Sequence, residues 1–150
     1  MKLETEIKQQ KPFHSETERL TVNILFTAAW LQTFYKDFFK QFDISAQQYN
    51  ILRILRGQHP NPATINLLKE RMLDKMPDVS RLVDRLLIKG FITRITCPKD
   101  RRAVDIVIAE KGIALLKSIE EKMPQAQVSM NTLSEEEKQQ LNTLLDKLRG

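Results

Sequence analysis

The spacing of apolar residues predicts a mainly helical chain. Between residues 13 and 42, apolar side chains recur at steps of three and four residues, which places them on one face of an α-helix. A second helical pattern follows in residues 46–57, where Ser45 and Gln48 have the spacing of a capping box and Gly57 marks the end. The two prolines in "HPNPATI" exclude a continuous helix beyond that point.

A short helix and a strongly amphipathic helix are predicted next. Asn66 is the expected cap of the short helix "LLKERML", and the longer helix spans residues 77–90, with Pro77 in its first turn and Gly90 at its end. The face of the longer helix that we expect to be buried consists of Val79, Leu82, Val83, Leu86 and Leu87. The opposite face is polar and consists of Asp78, Ser80, Arg81, Asp84 and Arg85.

Two short strands are predicted after this helix, at residues 91–96 and 103–108. The second strand would place Val104, Ile106 and Ile108 on one face, and the turn between the strands contains Lys99, Asp100, Arg101 and Arg102. Two further helices are predicted at about 110–130 and 134–149, the last beginning with a capping box formed by Ser134 and Glu137.

This order of elements is typical of a winged helix-turn-helix at residues 45–109, flanked by helices at 13–44 and 110–150, and we expect one domain over residues 1–150. The fold class is therefore mainly α with a small β-hairpin wing. The second helix of such a motif fits a major groove about 12 Å wide, while the hairpin reaches toward the minor groove. An arginine-rich turn suits that groove, where negative potential is concentrated, whereas burial in a protein core would be costly.

The distribution of charge agrees with a polyanionic partner. The net charge is 0 over residues 1–44, +6 over residues 45–109 and −1 over residues 110–150. Because the whole excess lies in the middle of the chain, we expect one surface that binds nucleic acid. A solvated basic surface with no such partner is the alternative interpretation.

Several other classes of protein are disfavoured. No apolar run approaches the length of a membrane span, and the N-terminus lacks the apolar core of a signal peptide, so we expect a cytoplasmic protein without membrane association. Cys97 is the single cysteine and has no internal disulfide partner, and with only His14 and His59 we expect no metal site and no cofactor. The chain lacks a glycine-rich phosphate loop and a nucleophile near a histidine, so we do not expect an enzyme.

The segment "SRLVDRLLIKGFITR", followed by "PKDRRAVDIVIAEKG", resembles the MarR (multiple antibiotic resistance regulator) family of bacterial transcription regulators. The resemblance implies a homodimer in which the N- and C-terminal helices act as dimerisation helices, and a pseudo-palindromic operator on double-stranded DNA, most simply as a repressor. It would also give a partner to the apolar first helix, whose aromatic residues are Phe26, Trp30, Phe34 and Phe38. The alternative is that these aromatic residues form an intramolecular core.

The resemblance also implies roles for residues of the hairpin and its surroundings. Arg102 matches the wing-tip arginine that enters the minor groove, and Asp100 matches the acid that holds the tip in place. Arg85 matches the basic residue that braces this acid, with Asp74 as a second supporting residue. The remaining basic residues expected to contact phosphates are Lys99, Arg101, Arg94 and Lys75.

Base reading is expected at the beginning of the helix at 77–90, where Arg81 is the best candidate for a bidentate contact to guanine. The neighbouring residues expected to take part are Met76, Pro77, Asp78 and Ser80. The turn "DKMPDVS" is one residue longer than the common family form and has a proline and an aspartate where small hydroxyl residues are usual. Ala109 replaces a threonine that usually caps the following helix, which we expect to weaken that cap by about 1 kcal/mol.

A small aromatic or phenolic effector is a further implication of the resemblance. The residues expected to line its site are Trp30, Phe34, Tyr49 and His14. All four are equally explicable as packing residues, and Cys97 is either a redox-active thiol beside DNA or a structural strand-end thiol. The alternative function is a winged-helix module that binds proteins without reading a DNA sequence, which a comparison of operator and random duplex would distinguish.

Overall fold

The described chain is mainly helical with a small antiparallel sheet, as the sequence predicts. The structure is a computed structural model that describes residues 1–75, 77–96 and 104–150. Its α-helices are α1 (Leu3–Glu6), α2 (Glu16–Lys40), α3 (Ala46–Gln58), α4 (Ile65–Arg71), α5 (Val79–Ile88), α6 (Glu110–Ala126) and α7 (Glu135–Arg149). A 3-10 helix occupies Gln127–Thr132, and the strands are β1 (Ala63–Thr64), β2 (Ile92–Thr96) and β3 (Val104–Ile108). The chain divides into two compact units, residues 1–46 and 47–150.

The first unit is built on α2, which is somewhat shorter than the predicted span of 13–42. Ser15 caps the helix, and its hydroxyl accepts a hydrogen bond from the Glu18 backbone N–H at 3.1 Å. The short helix α1 is joined to α2 by an ion pair of 2.6 Å between Arg19 Nε and Glu4 Oε1. Aromatic rings contact one another along the second half of α2, in a series that includes Trp30, Phe34, Tyr35, Phe38 and Phe39.

The core of the second unit is formed by apolar side chains from its helices and its sheet. The members that are almost completely buried include Ile51, Leu52, Leu55, Leu68, Val83, Leu86, Ile92, Ile106, Leu116 and Ile119. The predicted buried stripe of α5 is confirmed, because Val79, Val83 and Leu86 are buried and Leu82 and Leu87 are partly buried. Among the described residues, no helix is both long and apolar enough to cross a bilayer.

Two predicted helix beginnings are wrong. Thr64, not Asn66, caps α4, because Thr64 has an extended backbone and its hydroxyl accepts from the Leu67 backbone N–H at 3.1 Å. Pro77 lies before α5 and not in its first turn, because Asp78 is the N-cap. The predicted end of α5 is confirmed, since Gly90 adopts the left-handed conformation with a φ of +75°.

The sheet has three strands in the order β1, β3, β2, and all pairs are antiparallel. The predicted hairpin is confirmed, with Ile92 opposite Ile108 and Thr96 opposite Val104. The strand β1, whose Ala63 pairs with Ile106, was not predicted from the sequence. This strand has only two residues, too few for an alternating pattern.

The C-terminal region forms two α-helices joined by the 3-10 helix. The predicted helix at 110–130 ends earlier, at Ala126, and Pro124 lies inside it. Ala109 provides no side-chain cap to α6, as expected. The capping box that begins α7 is confirmed by hydrogen bonds in both directions between Ser134 and Glu137.

Candidate nucleic-acid interface

The exposed face of α5 is polar and carries both predicted arginines of the helix. Val79, Val83 and Leu86 are buried, so the helix is anchored through the opposite face. The exposed side chains are Ser80, Arg81, Asp84, Arg85 and Ile88. Since residues three and four apart lie on the same side of a helix, Arg81, Asp84 and Arg85 form one charged row. Ile88 lies at the end of this row, and its exposure was not predicted from the sequence.

The first turn of α5 is fixed by the carboxylate of Asp78. Its Oδ1 accepts a hydrogen bond from the Arg81 backbone N–H at 3.1 Å, which satisfies one of the amides left unpaired at a helix beginning. A carboxylate is also favourable at the positive end of the helix dipole. Asp78, predicted to take part in base reading, therefore has a structural contact that places Ser80 and Arg81 at the exposed start of the helix.

An ion pair links α5 to the wing. Arg94 on β2 donates from Nη2 to Oδ1 of Asp84 at 2.6 Å, and both side chains are more than half exposed. The guanidinium that was predicted to contact phosphate thus neutralises an acid on the exposed face of α5. Sequence spacing gave no signal for this pair, because its members are ten residues apart and are separated by the turn at Gly90.

The segment before α5 is held by contacts to α3 and α4. Asn50 on α3 accepts a hydrogen bond from the Leu73 backbone N–H at 2.9 Å, and Gln47 donates to the carboxylate of Asp74 at 3.5 Å. The ammonium of Lys75 donates to the carbonyl of Glu70 at 2.5 Å, near the end of α4. These contacts fix the approach to α5, and the phosphate contact of Lys75 and the wing-supporting role of Asp74 stay predictions.

Several predicted site residues lie outside the described residues: Met76, Cys97, Lys99, Asp100, Arg101 and Arg102. The roles assigned to them by resemblance, including the contact between Asp100 and Arg85, therefore stay predictions. The flanking strands are described, and Thr96 pairs with Val104 at their ends.

The four residues predicted to contact an effector are distributed over both units. In the first unit, the rings of Trp30 and Phe34 are stacked with centroids 6.4 Å apart, and the backbone N–H of His14 donates to the Glu18 carboxylate at 2.7 Å. In the second unit, the guanidinium carbon of Arg53 lies 5.9 Å from the centroid of the Tyr49 ring. An effector contact for any of them stays a prediction.

Comparison with known proteins identifies the family of this chain. The model of the MarR family matches residues 44–104. The HTH-type transcriptional regulator PecS of Dickeya dadantii (strain 3937) is 32% identical over 114 residues, which cover 73% of this chain and 68% of PecS. The described α5 and β2 lie in the matched segment, which ends at the first residue of β3.

Solved structures give the same result. The crystal structure of a MarR transcription factor from Planctomyces limnophilus has 32% sequence identity and a TM-score of 0.71, covering 90% of this chain and 98% of that one. The S. aureus MepR–DNA complex has 25% identity and a TM-score of 0.75, covering 85% of this chain and 94% of that one. The chain therefore belongs to the MarR family of winged helix-turn-helix transcription regulators.

Proposed function

We propose that this protein binds a pseudo-palindromic DNA operator as a homodimer and represses transcription from it. The observation that carries the proposal is the exposed polar row of α5, which is anchored from behind by buried Val79, Val83 and Leu86. A helix presented in this way has the diameter to enter a major groove about 12 Å wide. The net charge of +6 over residues 45–109 would add attraction to the phosphates.

Arg81 is the residue that we propose reads a base. It is exposed at the first turn of α5, where its backbone is fixed by Asp78. A guanidinium donates two parallel hydrogen bonds to the O6 and N7 atoms of guanine, and such a contact contributes about 1 to 3 kcal/mol of discrimination. Ser80 is exposed beside it and can donate to either a base or a phosphate.

The wing is proposed to contact the neighbouring minor groove. By resemblance, Arg102 enters that groove, Asp100 is braced by Arg85, and Lys99 and Arg101 contact phosphates. The described part of the wing supports this arrangement, because the pair between Arg94 and Asp84 holds β2 against the exposed side of α5. The solved structure of S. aureus MepR is a complex with DNA, which supports the same partner for this chain.

A second copy of the chain is the proposed partner of α7. Leu141, Leu144 and Leu148 occur at helical spacing and are 46%, 63% and 57% exposed, and α7 has no buried residue. An apolar row of this kind is favourable only when another apolar surface covers it. A two-fold dimer would present two copies of α5, which matches a pseudo-palindromic operator with half-sites about one helical turn apart.

We further propose that a small aromatic or phenolic compound releases the protein from DNA. The support for this proposal is the ring cluster of the first unit, where Trp30 remains 44% exposed beside Phe34. Binding of salicylate, as a simple phenolic probe, would quench or shift the fluorescence of Trp30, which is the single tryptophan. The same probe should weaken DNA binding if the two events are coupled.

Selection from a random-sequence duplex library tests the main proposal. The full-length protein should enrich a pseudo-palindrome and bind it at least about a thousandfold more tightly than unselected duplex. Arg102→Ala should weaken binding and flatten its salt dependence while the dimer persists. Weak binding with no enriched sequence would instead support a module that binds proteins.

A further inference from the structure

The end of α5 and the beginning of α6 meet at one residue, Phe91. Its backbone N–H donates to the carbonyl of Leu86 at 3.1 Å, which closes the end of α5. Its own carbonyl accepts from the backbone N–H of Ala109 at 3.0 Å, immediately before α6. The helix with the candidate base contacts is therefore connected to α6 through the backbone of one buried residue.

Lys111 on α6 adds a charged contact to this junction. Its ammonium donates to the carbonyl of Lys89, the C-cap of α5, at 2.8 Å, and lies 4.9 Å from the centroid of the Phe91 ring. The carbonyls at the end of a helix carry partial negative charge, so a cation there is favourable. The aromatic ring attracts the same cation through its quadrupole. One side chain thus binds α5 and Phe91 together.

Gly112 allows the close approach that this junction requires. A Cβ atom at this position would lie 2.3 Å from the Phe91 carbonyl oxygen and 2.8 Å from Cγ1 of Ile108. Both distances are far below van der Waals contact, so any side chain here would push α6 away from Phe91. The absence of a side chain places the first turn of α6 directly on the base of the wing.

A second contact holds α6 farther along its length. Arg56 on α3 forms an ion pair of 2.5 Å with Glu120 on α6. Lys111 and Glu120 are nine residues apart, which corresponds to about 14 Å along the helix axis. Lys111 attaches the beginning of α6 to the end of α5, and Arg56 attaches a point farther along α6 to α3, so the direction of α6 is fixed at two separated points.

We propose that Lys111 is a positioning residue that sets the angle between α5 and α6, and thereby the operator half-site spacing that the dimer accepts. The inference rests on the proposed function, because α6 leads through the 3-10 helix to α7, the proposed dimer surface. Changing the spacing by one base pair moves a half-site by about 3.4 Å and rotates it by about 34°. A dimer with a rigid junction should bind the altered duplex much more weakly, whereas a dimer with a loosened junction should lose less affinity.

The test compares Lys111→Met with the wild-type protein on the duplex enriched from a random library, and on versions with one base pair inserted or removed between the half-sites. Lys111→Met should bind the enriched duplex about three- to tenfold more weakly, and its penalty for altered spacing should shrink by at least about threefold. Lys111→Arg should restore both values, because a guanidinium can also donate to the Lys89 carbonyl and stack on Phe91. Lys117→Met, which removes an exposed lysine from the same helix, should behave like the wild-type protein.

The outcomes are distinguishable. If Lys111→Met keeps the wild-type spacing penalty, the inference is overturned whether or not affinity falls, because a phosphate contact would lower affinity at every spacing equally. If the wild-type protein enriches no sequence, the proposed function fails, and this inference fails with it. Thermal unfolding shows whether Lys111→Met is folded. If Lys111→Met is not folded, Phe91→Leu removes the aromatic ring and tests the same junction in the same spacing assay.

Discussion

Helices α5 and α7 are both amphipathic, but they expose opposite faces. In α5, the apolar stripe is buried against the second unit's core, and the charged row that includes Arg81 and Arg85 faces solvent. In α7, the leucine row that includes Leu144 and Leu148 is exposed, and no residue is buried. The apolar face of α5 is therefore covered within the chain, whereas the leucine row of α7 is not.

This difference indicates which kind of surface each helix is suited to bind. A charged row on a helix that is already anchored needs no protein partner, and it suits a surface of phosphates and base edges. A leucine row exposed to water is unfavourable by about 25 cal/mol for each Å² of apolar area, so it favours association with a similar surface. Under the proposed function, substitutions on α5 should weaken DNA binding and leave the dimer intact, whereas substitutions on α7 should disrupt the dimer and weaken operator binding only as a consequence.

The largest effect is expected from the double substitution Leu144→Glu with Leu148→Glu. Each lost leucine removes about 1.5 to 3 kcal/mol of burial, and a two-fold interface contains every substitution twice. We expect a monomer by sedimentation and a loss of operator affinity of at least about a hundredfold, because two linked half-sites become independent. The described core of the second unit should remain folded.

Gln139→Glu with Thr143→Glu is the matched control. These exposed residues lie on the opposite side of α7 and introduce the same charge at the same four-residue spacing. The control protein should stay dimeric and bind the operator normally. If both double variants stay dimeric, the leucine row is not the interface.

A smaller effect, confined to DNA, is expected from Arg81→Ala. Loss of a bidentate guanine contact costs about 1 to 3 kcal/mol at each half-site, so the preferred operator should be bound about 5- to 150-fold more weakly for each half-site, with little change for random duplex. The dimer should be unaffected. Arg149→Ala removes one positive charge from α7 and controls for charge alone. Equal weakening on all duplexes would mean that Arg81 contacts only phosphate.

The next effect concerns the stability of α5. Asp78→Ala removes the acceptor for the Arg81 backbone N–H, and loss of an N-cap costs about 1 kcal/mol in the free energy of unfolding. Asp78→Asn keeps an oxygen acceptor and should restore most of this loss. Denaturant unfolding measures both variants. An alanine variant as stable as the wild-type protein would show that the cap contributes nothing to folding.

The sequence predicted α5 and the hairpin well because their apolar spacing is strong and regular. It misplaced the beginning of α4, because Thr64 and Asn66 are both good caps and the choice depends on the pairing of β1 with β3. Contacts between distant positions, such as Arg94 with Asp84, have no local pattern. The role of Gly112 was also missed, since the lack of a side chain matters only when Phe91 lies beside it.

The smallest effect is expected from the ion pair that joins α3 to α6. Removing this pair tests whether α5 and α7 are independent of each other. The hydrogen bond from Arg56 lowers the pKa of Glu120 below its ordinary value of 4.5, so the pair stabilises the folded chain above that pH and the contribution is lost as the pH falls through the lowered pKa. The pair is partly exposed and is worth less than about 1 kcal/mol.

Glu120→Gln should therefore lower the free energy of unfolding slightly at pH 7, and this difference should disappear in acid as the wild-type carboxylate becomes protonated. If α6 transmits the position of α5 to α7, the same variant should also shift the half-site spacing preference without changing dimer affinity. A change in stability with no change in spacing would mean that Lys111 alone fixes α6, and that α5 and α7 are coupled only through the Phe91 junction.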